Sequence, residues 1–380
     1  MKAQAKNWGD GLAGLAQERA KQALLGLDPK HALHVKNWKP QVLILGSLNE
    51  DGVPKETGLI ALVNQLKKSN GLSIFGACRV GETTKANFKR TKEDKLRLHD
   101  YFRLKQQEVF SNVVLASTAR KGLKALVQAA GLGGLEPNTA LLPWPENWEA
   151  QPLSASRFCK LVRLSQNCDM AVLSLRPVAS FDDLQKQRGS IDIWWFCYDG
   201  GLMCLLAYLL QKGKHWKHCS VRLISVLPEN ETQLISDMPG KLTDWIAKYR
   251  VFPKAACEVV TVPQSCFFQF RETLSAALTR REERLKSGRE SAVLDGIEQA
   301  DATKLLSEPR SLSDTTAASV LNSRLQEVSG NADLVITVLP DQVQGQGAED
   351  YLRFCDAMLL GLRRVMLVKG TDDSVVTDYT

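Results

Sequence analysis

The sequence predicts an α/β protein made of two parallel-sheet subdomains with flanking helices. Short apolar runs such as Val42-Leu-Ile-Leu45 recur along the chain, and a run apolar on both sides suits a strand covered on both faces. Helical patterns alternate with these runs, the signature of βαβ units and a parallel sheet. The pattern then restarts after Pro143-Trp-Pro145, and 380 residues exceed one average domain. The expected division is 1–35 as helix and linker, 36–148 as first subdomain and 149–380 as second.

Residues 8–28 read as an amphipathic helix, with Leu12, Leu15, Ala16, Arg19, Ala23 and Leu27 at helical spacing. Asp10 can cap it and Asp28-Pro29 ends it. Strands follow at 42–45, 71–76, 113–116 and 139–142, with helices at 59–68, 85–110 and 120–130 between them. The second series has a helix at 154–167, then strands at 170–175, 191–196, 221–226 and 258–262, with helices at 202–211 and 241–249. A charged helix is expected at 267–285. Residues 286–315, rich in Ser, Glu, Asp and Thr, bury too little apolar surface to offset their ordering entropy and read as a flexible insertion. A helix at 316–328, a strand at 333–339, a helix at 350–362 and a strand at 364–368 complete the pattern. No short tandem repeat is present, but the two halves read as a degenerate pair.

Composition excludes several functions. The longest apolar stretch, Leu202–Leu210, is far shorter than the ~20 residues a membrane helix needs, and Met1–Asp10 lacks a signal peptide's apolar core. The chain as given is expected to be soluble. Its nine cysteines are odd in number, irregularly spaced and without Cys-x-x-Cys, as expected of free thiols in a reducing compartment. His215-Trp-Lys-His-Cys219 lacks a fourth ligand at metal-site spacing, so no metal is expected. The net charge of +7 is densest at 85–103 and 280–289, but neither stretch has the aromatic interleaving or motif of a nucleic-acid binder. The bland reading of both is a solvated helix face. No catalytic motif is present, and His99 has no evident nucleophile partner, so catalysis is not expected.

Two glycine clusters invite a ligand. Gly131-Leu-Gly-Gly134 follows a helix, where glycine serves a C-cap and tight turn, whereas a phosphate loop would open one. Asp199-Gly-Gly201 follows a strand and precedes a helix, the better geometry for a ligand-facing loop, unless Asp199 only caps that helix. Trp194 and Trp195, adjacent in a strand, face opposite sides and read as core.

Several segments in fixed order resemble the C-terminal cytosolic domain of cation–chloride cotransporters, most closely the potassium–chloride branch. They are Asn7-Trp-Gly-Asp-Gly-Leu-Ala-Gly-Leu15, Lys36-Asn-Trp-Lys-Pro-Gln-Val-Leu-Ile-Leu45, Gly71-Leu-Ser-Ile-Phe-Gly76, Gly131–Trp148, Ile191-Asp-Ile-Trp-Trp195, Asp199-Gly-Gly201, Leu321-Asn322 and Arg364–Thr380. Any one piece is weak, but together they span some 370 residues.

The resemblance implies subdomains like universal stress proteins, a homodimer, contact with the protein's own transmembrane domain, regulation by kinases and phosphatases, and a place at the cytoplasmic face of the plasma membrane. It implies an adenine nucleotide, ATP or ADP, as an optional rather than required ligand. The residues it assigns are Gln41, Val42, Ser47, Lys55, Gly133 and Gly134, with Pro40-Gln41 at the base and the two phosphate lysines falling on Ser47 and Lys55. Only the second retains the amine. Aligning on Leu321-Asn322 places a regulatory phosphorylation site at Thr315 or Thr316, where a threonine can also cap the next helix. The alternative from another class is a stand-alone nucleotide-binding sensor.

Overall fold

The computed structural model describes residues 8–27, 39–66, 71–181, 186–196, 200–249, 252, 255–276, 279 and 314–371. The expected insertion at 286–315, apart from its last two residues, lies outside these, as do Asn37, Trp38, Asp199 and Val375–Thr380.

Ten strands form one continuous sheet, ordered β3-β2-β1-β4-β5-β10-β9-β6-β7-β8. They are β1 (Val42–Leu45), β2 (Ser73–Val80), β3 (Phe110–Ala116), β4 (Thr139–Pro143), β5 (Ala171–Arg176), β6 (Ser190–Trp195), β7 (Ser220–Pro228), β8 (Ala256–Val262), β9 (Leu334–Val338) and β10 (Val365–Lys369). All neighbours are parallel except β5 and β10, which pair antiparallel from Val365↔Arg176 to Lys369↔Val172. The sheet therefore consists of two five-stranded parallel blocks. Numbered within its block, each runs 3-2-1-4-5 from the outer edge inward, and the two fifth strands meet. By that symmetry β5 completes the first block, and the junction falls between Arg176 and Ser190 rather than at the expected 148/149. The Pro-Trp-Pro punctuation marks a loop inside a block.

The α-helices that position the sheet are α1 (Trp8–Leu25), α2 (Thr57–Gln65), α3 (Lys85–Leu104), α4 (Ala119–Ala129), α5 (Pro152–Asn167), α6 (Gly200–Gln211), α7 (Thr232–Tyr249), α8 (Asp314–Ser329) and α9 (Ala348–Met358). Local chemistry starts several of them. Thr84 and Thr118 accept hydrogen bonds from the Asn87 and Lys121 amides, and Pro152 opens α5 where no donor is needed. β1, β9 and β10 are buried along their whole length; β1 reads as an unbroken apolar run, while β9 and β10 each carry one buried polar residue, Thr337 and Lys369.

The differences from expectation have local causes. α3 stops at Leu104, and β3 begins at Phe110 because Phe110 pairs with Ile74. α7 starts at Thr232 and carries Pro239 inside it, a residue that normally breaks a helix. A 3-10 stretch, Gln264–Phe270, replaces the start of the helix expected from 267, with α-helix only from 271.

Besides the β5–β10 pairing, the blocks and the segment that joins them are held by several contacts. α2 lies so close to the 3-10 turn Val178–Phe181 that a Cβ on Gly58 would sit 2.0 Å from the Val178 carbonyl oxygen. The buried Trp216 indole donates to Gln65 Oε1 at 2.7 Å, so the His-Trp-Lys-His-Cys segment supplies a packing residue. Arg176 of β5 donates to the Leu359 carbonyl, just past α9.

Candidate functional site

The six residues expected around a nucleotide fall at opposite ends of β1. Gln41 and Val42 stand at its amino end, where the Gln41 N–H donates to Asn138 Oδ1 at 2.9 Å and its carbonyl accepts from the Asn138 and Thr139 amides. Ser47 and Lys55 stand past its carboxyl end. From Gln41 to Gly46 the extended chain advances roughly 16 Å at about 3.3 Å per residue. Gly133 and Gly134 lie in the turn before β4, on the amino-end side. Gly133 takes φ +59°, and a Cβ on Gly134 would come within 2.9 Å of Leu27 Cβ. Those glycines permit a tight turn against the end of α1.

Each end holds part of what a nucleotide needs. At the amino end a cavity of about 320 Å³ opens between Pro40, Val42, Val63, Leu66, Ser73 and Phe110; Gln41, which does not line it, keeps its Oε1 buried without a hydrogen-bond partner. The carboxyl end is where such sheets bind ligands. There the Glu56 carboxylate accepts from both the Ser47 amide, at 2.7 Å, and the Ser47 hydroxyl. Glu56 immediately precedes α2. An internal anion thus holds the amide that a phosphate would use. Glu56 carries no sequence motif, although a carboxylate just before a helix is a legible anchor for donors at a helix start.

Thr315 and Thr316 are exposed in the first turn of α8. Thr315 borders a cavity of about 520 Å³ whose wall includes Gln344, Gly345, Gln346, Asp350 and Arg353. Gly345 turns with φ +81°, and Gly347 precedes α9 without a side-chain cap. Arg353 pairs with Asp350 at 2.5 Å, and its guanidinium lies 5.7 Å from the Trp148 ring centroid. Beneath the loop, Gln269 and Gln346 exchange side-chain hydrogen bonds, and buried Lys369 pairs with Asp341. A neighbouring cavity of about 420 Å³ touches Cys159, Arg163, Glu272, Asp341 and Tyr351. Burial pushes the Cys159 thiol up to about 11 and the Tyr351 hydroxyl well above its usual range. Among the described residues no three His, Cys, Asp or Glu side chains cluster as metal ligands, and no helix is long and apolar enough to cross a membrane.

Two comparisons bear on this chain. Among solved structures it is similar to a functionally unknown protein from Pseudomonas aeruginosa PAO1, at 13% identity over 88% of this chain and 94% of that one, with a TM-score of 0.39. It is also similar to a protein described as a candidate universal stress protein from Pseudomonas aeruginosa UCBPP-PA14, at 14% identity, the same coverage and the same TM-score. The family model described as solute carrier family 12 matches residues 56–185 and 177–380. The chain belongs to solute carrier family 12.

In this solute carrier family 12 chain the structure turns Pro143-Trp-Pro-Glu-Asn-Trp148 into a clamp. Trp144 Nε1 donates to Asp356 Oδ1 at 2.9 Å, and Trp148 Nε1 to Asp356 Oδ2 at 2.6 Å. Arg176 Nε adds a third bond to the same carboxylate at 2.8 Å. Glu146 accepts from the Val178 amide at the start of the 3-10 turn. One aspartate on α9 therefore holds the β4–α5 loop and β5 of the other block. Asn322 of the Leu321-Asn322 pair donates to the Met358 and Leu360 carbonyls, fastening α8 to the end of α9. Asp356 was not singled out from sequence. Two tryptophans four residues apart in a loop were the available signal, since a buried indole N–H needs an acceptor.

Proposed function

We propose that this chain is the cytosolic regulatory and dimerisation domain of an electroneutral potassium–chloride symporter, controlled by phosphorylation at the start of α8. The observation that carries the reading is the position of Thr315: exposed, in a helix's first turn, and on the wall of the cavity that Arg353 borders. A phosphate there adds close to two negative charges and strong acceptors. It meets the favourable end of the α8 dipole, worth about 0.3–1 kcal/mol when exposed. It also competes with Asp350 for Arg353, whose guanidinium covers Trp148 of the clamp. The modification is thereby linked to the contact between the two blocks. The partners in this reading are a kinase, a phosphatase, a second copy and the membrane part of the same transporter. The domain performs no catalysis of its own.

Nucleotide has a secondary place in this reading. ATP or ADP is an optional ligand, because the base cavity and Lys55 lie at opposite ends of β1 and Glu56 already occupies the Ser47 amide.

The test is enzymatic phosphorylation of Thr315 and Thr316, followed by hydrogen exchange and by ion flux through the full transporter. The expected result is altered exchange at 316–328 and at 144–151, with reduced potassium–chloride flux. Unchanged exchange and unchanged flux in stoichiometrically phosphorylated protein would refute it. Sedimentation equilibrium addresses the dimer: a strict monomer at concentrations of order 100 μM, where mass action favours association, would remove self-association from this chain.

A further inference from the structure

α3 carries seven basic and three acidic residues, a net +4 within twenty residues of a chain whose total is +7. The distribution around the helix is uneven. Thr91, Asp94, Leu98 and Phe102 are buried, and Asp94 is held inward by Arg79 and Arg97. Facing away from that side, Lys85, Lys89, Lys92, Leu96, His99 and Arg103 recur at intervals of four and three residues, a single stripe on a 3.6-residue helix. The stripe is roughly 27 Å long at about 1.5 Å per residue. Only Glu93 and Asp100 offset it on its flank, pairing with Lys89 and with His99 and Arg103. Leu96 is 66% exposed within the stripe, and Phe88 is 49% exposed beside it.

We infer that the outer face of α3 docks on an anionic lipid surface. A row of lysines supplies point charges for headgroups rather than the paired fork that grips one carboxylate. Leu96 and Phe88 stand out from the charged plane, where apolar side chains reach the boundary between headgroups and acyl chains. The lysine stems can lie along that boundary with their ammonium groups in water. An acidic peptide would be better served by a groove, and none of the three cavities described above borders the stripe.

The test uses the 380-residue chain and co-sedimentation with phosphatidylcholine vesicles, with and without phosphatidylserine. Binding is expected only with phosphatidylserine, falling steeply as salt is raised. The triple substitution Lys85→Gln, Lys89→Gln, Lys92→Gln is expected to weaken it about a hundredfold, from about fivefold per lysine near such a surface. Leu96→Gln is expected to weaken it at low and high salt alike. The control is Arg120→Gln, Lys121→Gln, Lys124→Gln on α4, across the sheet from α3 by the right-handed crossover rule. It removes the same charge and is expected to leave binding intact. Equal binding to neutral vesicles, an unaffected α3 variant, or an α4 variant weakened as much would overturn the inference. So would α3-dependent binding to polyglutamate without binding to vesicles.

Discussion

Replacing Asp356 tests whether the Trp-Pro-Glu-Asn-Trp loop and α9 form one unit. Asp356→Ala removes the acceptor of three hydrogen bonds, from Trp144, Trp148 and Arg176. A hydrogen bond to a charged group contributes about 1.5–3 kcal/mol, and breaking a buried ion pair costs about 3–5 kcal/mol. These terms overlap because one carboxylate serves all three donors. Arg176 and Asp356 side chains are also 19% and 26% exposed, so water satisfies part of the loss. The expected destabilisation is about 3–4 kcal/mol for Asp356→Ala, and about 2 kcal/mol for Asp356→Asn, which keeps one carbonyl acceptor. With a urea dependence of about 3 kcal/mol per molar, the alanine variant's midpoint falls by about 1 M. Urea unfolding followed by tryptophan fluorescence reads this directly, since two donors are themselves fluorophores. A double-mutant cycle with Trp148→Phe should give a coupling of about 1–2 kcal/mol. A midpoint within about 0.3 M of the parent, with no coupling, would refute the clamp.

Gly58→Ala should cost about 3 kcal/mol, the top of the overpacking range, because its Cβ would strike the Val178 backbone. Gly122→Ala, whose Cβ would meet Cys78 Sγ at 2.1 Å and also Cys78 Cβ at 2.7 Å, which no rotamer moves, should cost about 2–3 kcal/mol; thermal melts matching the parent's for either variant would contradict this reading of the two glycines. Glu56→Gln is expected to strengthen ATP binding about fivefold, the ~1 kcal/mol repulsion of unit charges about 4 Å apart in water; identical calorimetric titrations would discount Glu56 as the competing anion. Burial raises the Cys159 thiol from 9.0 to about 11, so its alkylation should run about a hundredfold slower than that of an open thiol at the same pH. The unfolded chain then loses this proton first, so the stabilisation is complete below pH 9 and is lost as pH rises toward about 11. A urea midpoint that stays flat across that window would count against it.

Much of the fold was legible because burial leaves a local trace. β1, covered on both faces, has to be apolar at every position, and Val42-Leu-Ile-Leu45 announces that without any partner in view. The start of α8 was legible to within two residues, at 316 against Asp314, since a capping hydroxyl and the first turn are neighbours in sequence. The residues that the resemblance assigned to a nucleotide do not come together at one place. Gln41 and Lys55 are only fourteen positions apart in sequence, yet a whole strand stands between their ends of the sheet.

The sequence by itself determined the alternation of strands and helices, the parallel character of the sheet, the lack of a long apolar span and the basic density at 85–103. All of these follow from residue type and spacing within a few turns of chain. The tertiary structure alone decided that two 3-2-1-4-5 blocks join through antiparallel β5 and β10. It alone brought Asp356 to indoles 212 and 208 residues away, and put the Glu56 carboxylate on the Ser47 amide. Apolar burial is a property of each residue and repeats with the local period. A polar group's partner depends on which loops the sheet brings to the same edge, and no local pattern encodes that.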